Sequence, residues 1–159
     1  MQKITPFLWF DSQAEEAAQY YVSVFREGRI LRTVRFGDAG PGPKGAVMTV
    51  AFELFGQQFT ALNGGPQFPF TQAISLVVSC PTQEEIDRLW DALARDGGQP
   101  LACGWIKDRY GLSWQITPPQ LIEQIADPDP ARSQRTMRAM MRMGRLDIAA
   151  LRRAYEGLD

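Results

Sequence analysis

The residues best placed to do chemistry crowd into one segment, Cys103-Gly104-Trp105-Ile106-Lys107-Asp108-Arg109-Tyr110-Gly111-Leu112-Ser113-Trp114-Gln115-Ile116. A thiol near a lysine ionises more readily and can attack an electrophile. Two tryptophans can wall an aromatic site, and the Gln115 amide can orient a ligand. The plainer reading is a strand–turn–strand hairpin whose indoles pack in the core. The chain holds no histidine, the usual neutral metal ligand and the usual acid–base group near neutral pH. His-containing zinc sites, two-His iron sites and Ser-His-Asp or Cys-His catalysis are thereby excluded. A base must be Asp, Glu, Lys or Cys. Cys80 and Cys103 have neither metal-ligand nor disulfide-framework spacing, and Cys80 reads as a buried thiol at a strand end.

Two glycine-rich stretches invite a nucleotide reading. Asp38-Ala39-Gly40-Pro41-Gly42-Pro43-Lys44-Gly45 imitates both a methyltransferase cofactor loop and a phosphate loop. Both need free backbone N–H groups opening into a helix. Pro41 and Pro43 remove two such donors, and Ala46–Leu54 that follows alternates like a strand, so this is a loop between strands. Asn63-Gly64-Gly65-Pro66-Gln67-Phe68-Pro69-Phe70 reads as a linker that can lend backbone to a pocket rim.

Positioning these residues requires elements, and their pattern occurs twice. Lys3–Phe10 reads as a strand. Ser12-Gln13-Ala14-Glu15 is a capping box, with Ser12 as the expected cap. Ala14, Ala17, Ala18, Tyr21, Val24 and Phe25 then form one helical face, which Gly28 is expected to end. Strands are expected at 30–36, 46–54 and 57–62, with Gly56 in a tight turn. The pattern restarts with a strand over 72–79, a second capping box at Thr82-Gln83-Glu84-Glu85, and the helical face Ile86, Leu89, Trp90 and Leu93. Shorter strands are expected at 100–107 and 112–117. Ser12 and Thr82 lie seventy positions apart, the mark of an internal repeat with an abbreviated second copy.

From Pro118 onward three short helices are expected, over 121–126, 131–143 and 148–155. The middle one carries Arg132, Arg135, Arg138 and Arg142 with Met137, Met140, Met141 and Met143. The expectation is that its methionine face packs on a core or a second subunit while the arginines stay solvated. A net charge of -1 leaves no footprint for nucleic acid or an anionic membrane. Apolar runs are strand-length, and the start at Met1 has no leader-like apolar region. A cytoplasmic protein with no membrane or nucleic-acid partner is the expectation.

Several segments together resemble the PhnB-like family. They are Lys3–Asp11 leading to Glu16-Ala17 and Tyr20-Tyr21; Leu62-Asn63-Gly64-Gly65-Pro66; Ala73-Ile74-Ser75-Leu76; Cys103-Gly104-Trp105-x-Lys107-Asp108-x-x-Gly111-x-Ser113-Trp114-Gln115-Ile116; and Asp127-Pro128-Asp129-Pro130-Ala131. The resemblance implies the vicinal oxygen chelate superfamily of glyoxalases, bleomycin resistance proteins and dihydroxybiphenyl dioxygenases. It implies an α+β fold of two βαβββ-type modules, over 1–66 and 67–118, with a helical tail over 119–159. Each sheet would curl around half a cavity, usually within a homodimer. The family has also carried a demethylubiquinone methyltransferase label, which no residue here supports.

Enzymes of that superfamily place four metal ligands on matching strands. The resemblance carries these to positions near Ile4, Ala73 and Asn63 and onto Gln115. Two apolar groups and two neutral amides cannot replace the hydration shell of a divalent ion, so no metal and no cofactor are expected. The expected function is metal-free binding of an unidentified small molecule. Its expected ligand-binding residues are Asn63, Ser75, Cys103, Trp105, Ser113 and Gln115. On the fifth strand, alternation turns Ala73, Ser75 and Val77 toward the pocket. The alternatives are a metal-independent enzyme using Cys103 or a carboxylate such as Glu53, and an interaction module acting through its C-terminal helices.

Overall fold

A computed structural model describes residues 1–158. The chain divides into two compact units, one spanning Met1–Phe70 and one starting at Thr71. Each holds a four-stranded mixed sheet with a helix on one face, and the second also holds the tail helices. This is the α+β arrangement of two βαβββ modules.

The first module runs β1 (Phe7–Phe10), α1 (Ala14–Phe25), β2 (Gly28–Arg35), β3 (Val47–Leu54) and β4 (Gln57–Asn63), in sheet order β1-β4-β3-β2. Strands β1 and β4 are parallel, and the other pairs are antiparallel. Alternation along β3 buries Val50, Phe52 and Leu54. Against them α1 turns Ala14, Ala17, Ala18, Tyr21, Val24 and Phe25, and the alanines let its backbone approach closely. Phe52 stacks on Tyr21 at 6.0 Å and on Phe59 at 5.4 Å between ring centroids. Fully burying each such ring contributes roughly 1.5–3 kcal/mol.

Both ends of α1 differ from the sequence expectation. Its N-cap is Gln13, whose side chain makes no capping bond. The Ala14 N–H donates instead to Asn63 Oδ1 at 2.8 Å, from the end of β4. At the other end the left-handed residue is Arg26, with φ 66°, and Gly28 already belongs to β2. Glycine is required there for space, because a Cβ would stand 2.3 Å from the Glu53 carbonyl oxygen.

The second module runs β5 (Ser75–Ser79), α2 (Gln83–Ala94), β6 (Gln99–Pro100), β7 (Trp105–Lys107) and β8 (Ser113–Thr117), in order β5-β8-β7-β6. Again the outer first strand is parallel to the last. Here the capping expectation holds: Thr82 accepts from the Glu85 N–H at 3.2 Å. Helix α2 buries Ile86, Leu89, Trp90 and Leu93, and the sheet contributes Ile106, Trp114 and Ile116. The expected strand over 100–107 is broken, because Cys103 and Gly104 adopt φ of 61° and 81°. The strand expected from Gln72 begins only at Ser75.

Three helices form the tail, α3 (Gln120–Ile125), α4 (Pro130–Met141) and α5 (Ile148–Glu156). Asp129 and Asp147 cap α4 and α5 through the N–H groups of Ala131 and Ala150. Leu121, Leu146 and Leu151 form their core, with Ile125, Met140 and Met143 packed against it. The arginines are partly structural. Arg135 donates to the carbonyls of Ala154 and Tyr155 at the end of α5, a favourable place for a cation. Arg132 lies 5.4 Å over the Tyr155 ring. Among the described residues no helix is long and apolar enough to cross a membrane.

Candidate small-molecule-binding site

The site begins with a turn. Between β7 and β8 the buried Asp108 carboxylate accepts from the N–H groups of Tyr110 at 2.8 Å and Leu112 at 3.1 Å through Oδ1. Its Oδ2 accepts from Trp114 Nε1 at 2.9 Å. Gly111, with φ 89°, completes the reversal where a side chain would be strained. Buried charge is tolerated only when paired or hydrogen-bonded, and these three donors supply that. The bond to the indole fixes Trp114 on the α2 side of the sheet. Because side chains alternate across a strand, Gln115 must then face the other way.

Register confirms the consequence across the whole sheet. Gln115 stands opposite Val77 on β5 and Trp105 on β7. Ser113 stands opposite Ser75 and Lys107, and Lys107 opposite Gln99. All these residues share the open face, away from α2. Gln115 Nε2 donates to Ser75 Oγ at 2.9 Å, tying β8 to β5 on that face. Val77 is 58% exposed, and Ser75, Trp105, Lys107 and Gln115 are half-buried. Ser113 is sealed from water, and its Oγ has no hydrogen-bond partner.

Of the six expected site residues, the structure therefore brings together Ser75, Trp105, Ser113 and Gln115. Cys103 is set in the turn before β7. Its Sγ lies 3.8 Å from Met141 Sδ, and its N–H donates to the Met143 carbonyl. Asn63 belongs to the first module and turns to the α1 side of that sheet, paired with buried Phe10. Its amide is engaged at both ends, accepting from Ala14 and donating to the Val47 carbonyl at 3.1 Å. The expectation that it offers a free amide to a ligand is thus corrected. It borders a cleft of about 650 Å³ lined also by Asp11, Glu15, Phe36 and Pro43, but as scaffold. Ala73 lies ahead of β5 and is exposed, so alternation does not place it. Asp108 is the positioning residue that periodicity missed. Its signal was an Asp two and four residues before backbone donors, closed by Gly111 and followed by Trp114.

The carried-over metal positions offer little to a cation. Ile4 is 85% exposed and apolar, Ala73 has no donor, Asn63 is spent on backbone, and Gln115 is bonded to Ser75. Among the described residues no group of three or more His, Cys, Asp or Glu could hold a metal ion. The glycine-rich loop also has a structural use. Gly40 and Gly42 lie flat on Phe36, where a Cβ would come within 2.8 and 2.4 Å of the ring. That loop leads into β3, so it presents no helix start to a methyl-donor cofactor.

The family model for 3-demethylubiquinone-9 3-methyltransferase matches residues 2–117. The match stops at Thr117, so the tail, included in the resemblance read from sequence, lies outside it. A Bacillus cereus structure described as a 3-demethylubiquinone-9 3-methyltransferase and PhnB protein is 41% identical, with a TM-score of 0.64, covering 73% of this chain and 98% of its own. A Pseudomonas aeruginosa structure is 24% identical, with a TM-score of 0.58, over 72% of this chain and 95% of its own. A glyoxalase/bleomycin resistance protein from Albidiferax ferrireducens is 11% identical, with a TM-score of 0.48, over 69% and 92%. No curated protein matches the chain. With the motif segments, the module topology, the family-model match and the Bacillus cereus structure in hand, the chain belongs to the PhnB-like, 3-demethylubiquinone-9 3-methyltransferase family.

Proposed function

We propose that this protein binds a small molecule without a metal, on the open face of its second sheet. The observation that carries the reading is Gln115. It stands where the resemblance puts a metal-binding carboxylate, and its amide is bonded to Ser75 beside half-buried Trp105 and exposed Val77. An apolar surface with a few fixed polar groups suits a drug-sized aromatic or amphipathic ligand. The methyltransferase description of the family finds no support in the Asp38–Gly45 loop, which leads into a strand. Cys103 faces a thioether and Glu53 is ion-paired with Arg29 at 3.5 Å, so neither favours the enzyme reading. A homodimer in the cytoplasm is part of the proposal, supported by exposed Ile122 and Met141 on the tail and tested by light scattering coupled to size exclusion.

Native mass spectrometry of freshly purified protein tests the central claim, with elemental analysis alongside. The expected result is a co-purified organic adduct, weakened by Gln115→Leu, and no stoichiometric metal. A metal at one equivalent, or an adduct indifferent to Gln115→Leu, overturns it.

A further inference from the structure

We infer that the ligand of this face is an anion: an aromatic or apolar body carrying a carboxylate, sulfonate or phosphate-like head. The inference rests on the proposed site and names the chemistry that fills it. Register sorts the open face into rows that run across the strands. One row reads Ser75, Ser113, Lys107, Gln99, and the next reads Val77, Gln115, Trp105. The first row is wholly polar and the second mostly apolar. Among the described residues Lys107 is the only charged side chain that the register places on this face. The nearby Arg109 turns elsewhere, to Asp96 at 2.9 Å.

The hydrogen-bonding inventory points the same way. An ammonium has donors and no acceptor, and a serine hydroxyl can donate to whatever accepts. Ser113 Oγ lies between Ser75 and Lys107 in its row but is sealed from water, so Ser75 is the hydroxyl of this row that a ligand reaches. Ser75 already accepts from Gln115 and so retains its own proton for donation. The row thus offers one positive charge and one accessible hydroxyl donor, with no carboxylate among them. A neutral ligand would leave Lys107 unmatched, and a cationic one would be repelled. An anionic head held by Lys107 and Ser75 places the body of the ligand on Val77 and Trp105 in the adjoining row.

Two fluorescent probes that differ in one group test this: anilinonaphthalenesulfonate and its uncharged counterpart phenylnaphthylamine, titrated into the full chain. Lys107→Met is expected to weaken the sulfonate about ten-fold, as loss of one charge-assisted contact does, and to leave the neutral probe within about two-fold. Lys107→Arg should restore most of the loss, and Ser75→Ala should weaken the sulfonate about three-fold. Trp105→Ala and Gln115→Leu should weaken both probes, and Arg138→Gln, on the exposed side of α4, neither. Circular dichroism establishes that each variant is folded, with Lys107→Gln replacing Lys107→Met if needed. If Trp105→Ala weakens both probes while the Lys107 variants leave their affinity ratio unchanged, the anion inference fails and the site stands. If neither Trp105→Ala nor Gln115→Leu affects either probe, the site itself is overturned.

Discussion

Helices α1 and α2 follow the same sequence signal, Ser12-Gln13-Ala14-Glu15 and Thr82-Gln83-Glu84-Glu85, yet different partners hold their first N–H groups. Thr82 caps its own helix, as the local pattern dictates. Ser12 caps nothing, and Asn63 reaches in from the end of β4. The parallel strand pairs explain the divergence. In the first module the row Trp9–Leu62 is followed by Phe10–Asn63. In the second, the matching row Ser79–Thr117 is followed by Cys80 and Pro118. The proline ring carries no polar atom to offer a helix start, so the second module caps locally. A repeated motif therefore specifies a helix start without specifying who satisfies it.

Asn63→Ala should have the largest effect, about 2–3 kcal/mol, because it strips the cap from Ala14 and strands the Val47 carbonyl together. Urea unfolding with unchanged slope checks it, and a loss under about 0.5 kcal/mol would remove Asn63 from its capping role. Thr82→Ala should cost about 1 kcal/mol, an ordinary cap. Another difference lies at Cys80, the counterpart of Phe10. Burial pushes its thiol from 9.0 up to about 12, so the unfolded chain loses this proton first. Stability should fall as pH rises from about 9 toward 12, and Cys80→Ala should flatten that slope. Unfolding midpoints in urea across that range measure it. Ser12→Ala should have the smallest effect, within about 0.5 kcal/mol. A cost equal to that of Thr82→Ala would erase the distinction between the modules.

What the sequence made legible was local and periodic. Alternation over 47–54 and 113–117 placed β3 and β8, and the step from Trp114 to Gln115 placed the amide on the open face. The Thr82 box, the tail helices and the packing of Met140 and Met143 were equally readable, whereas Met141, expected on the same packed face, is exposed. Asn63 was not, because its partner lies 49 residues earlier and a capping amide carries the same letter as a ligand-binding one. Arg26 in the left-handed region was hidden by Gly28, a more obvious helix stop whose actual duty is clearance from Glu53. The break at Cys103 could not be foreseen either, since it is held by hydrogen bonds to residues 143 and 144.

Those two bonds, from the Cys103 and Gly104 N–H groups to the Met143 and Gly144 carbonyls, have a temporal consequence. During synthesis all the strands of the second module leave the ribosome well before residue 143 does. Until then the turn leading into Trp105 lacks its acceptors, and the space beside Gly104 lacks Leu146, which finally comes so close that a Cβ would sit 2.9 Å from it. Domains generally settle as units as the chain emerges, and this one cannot finish the β7–β8 hairpin until the segment after α4 arrives. The tail acts as the closing step of assembly, so a chain arrested before it presents the right strands with the entrance to β7 still unset.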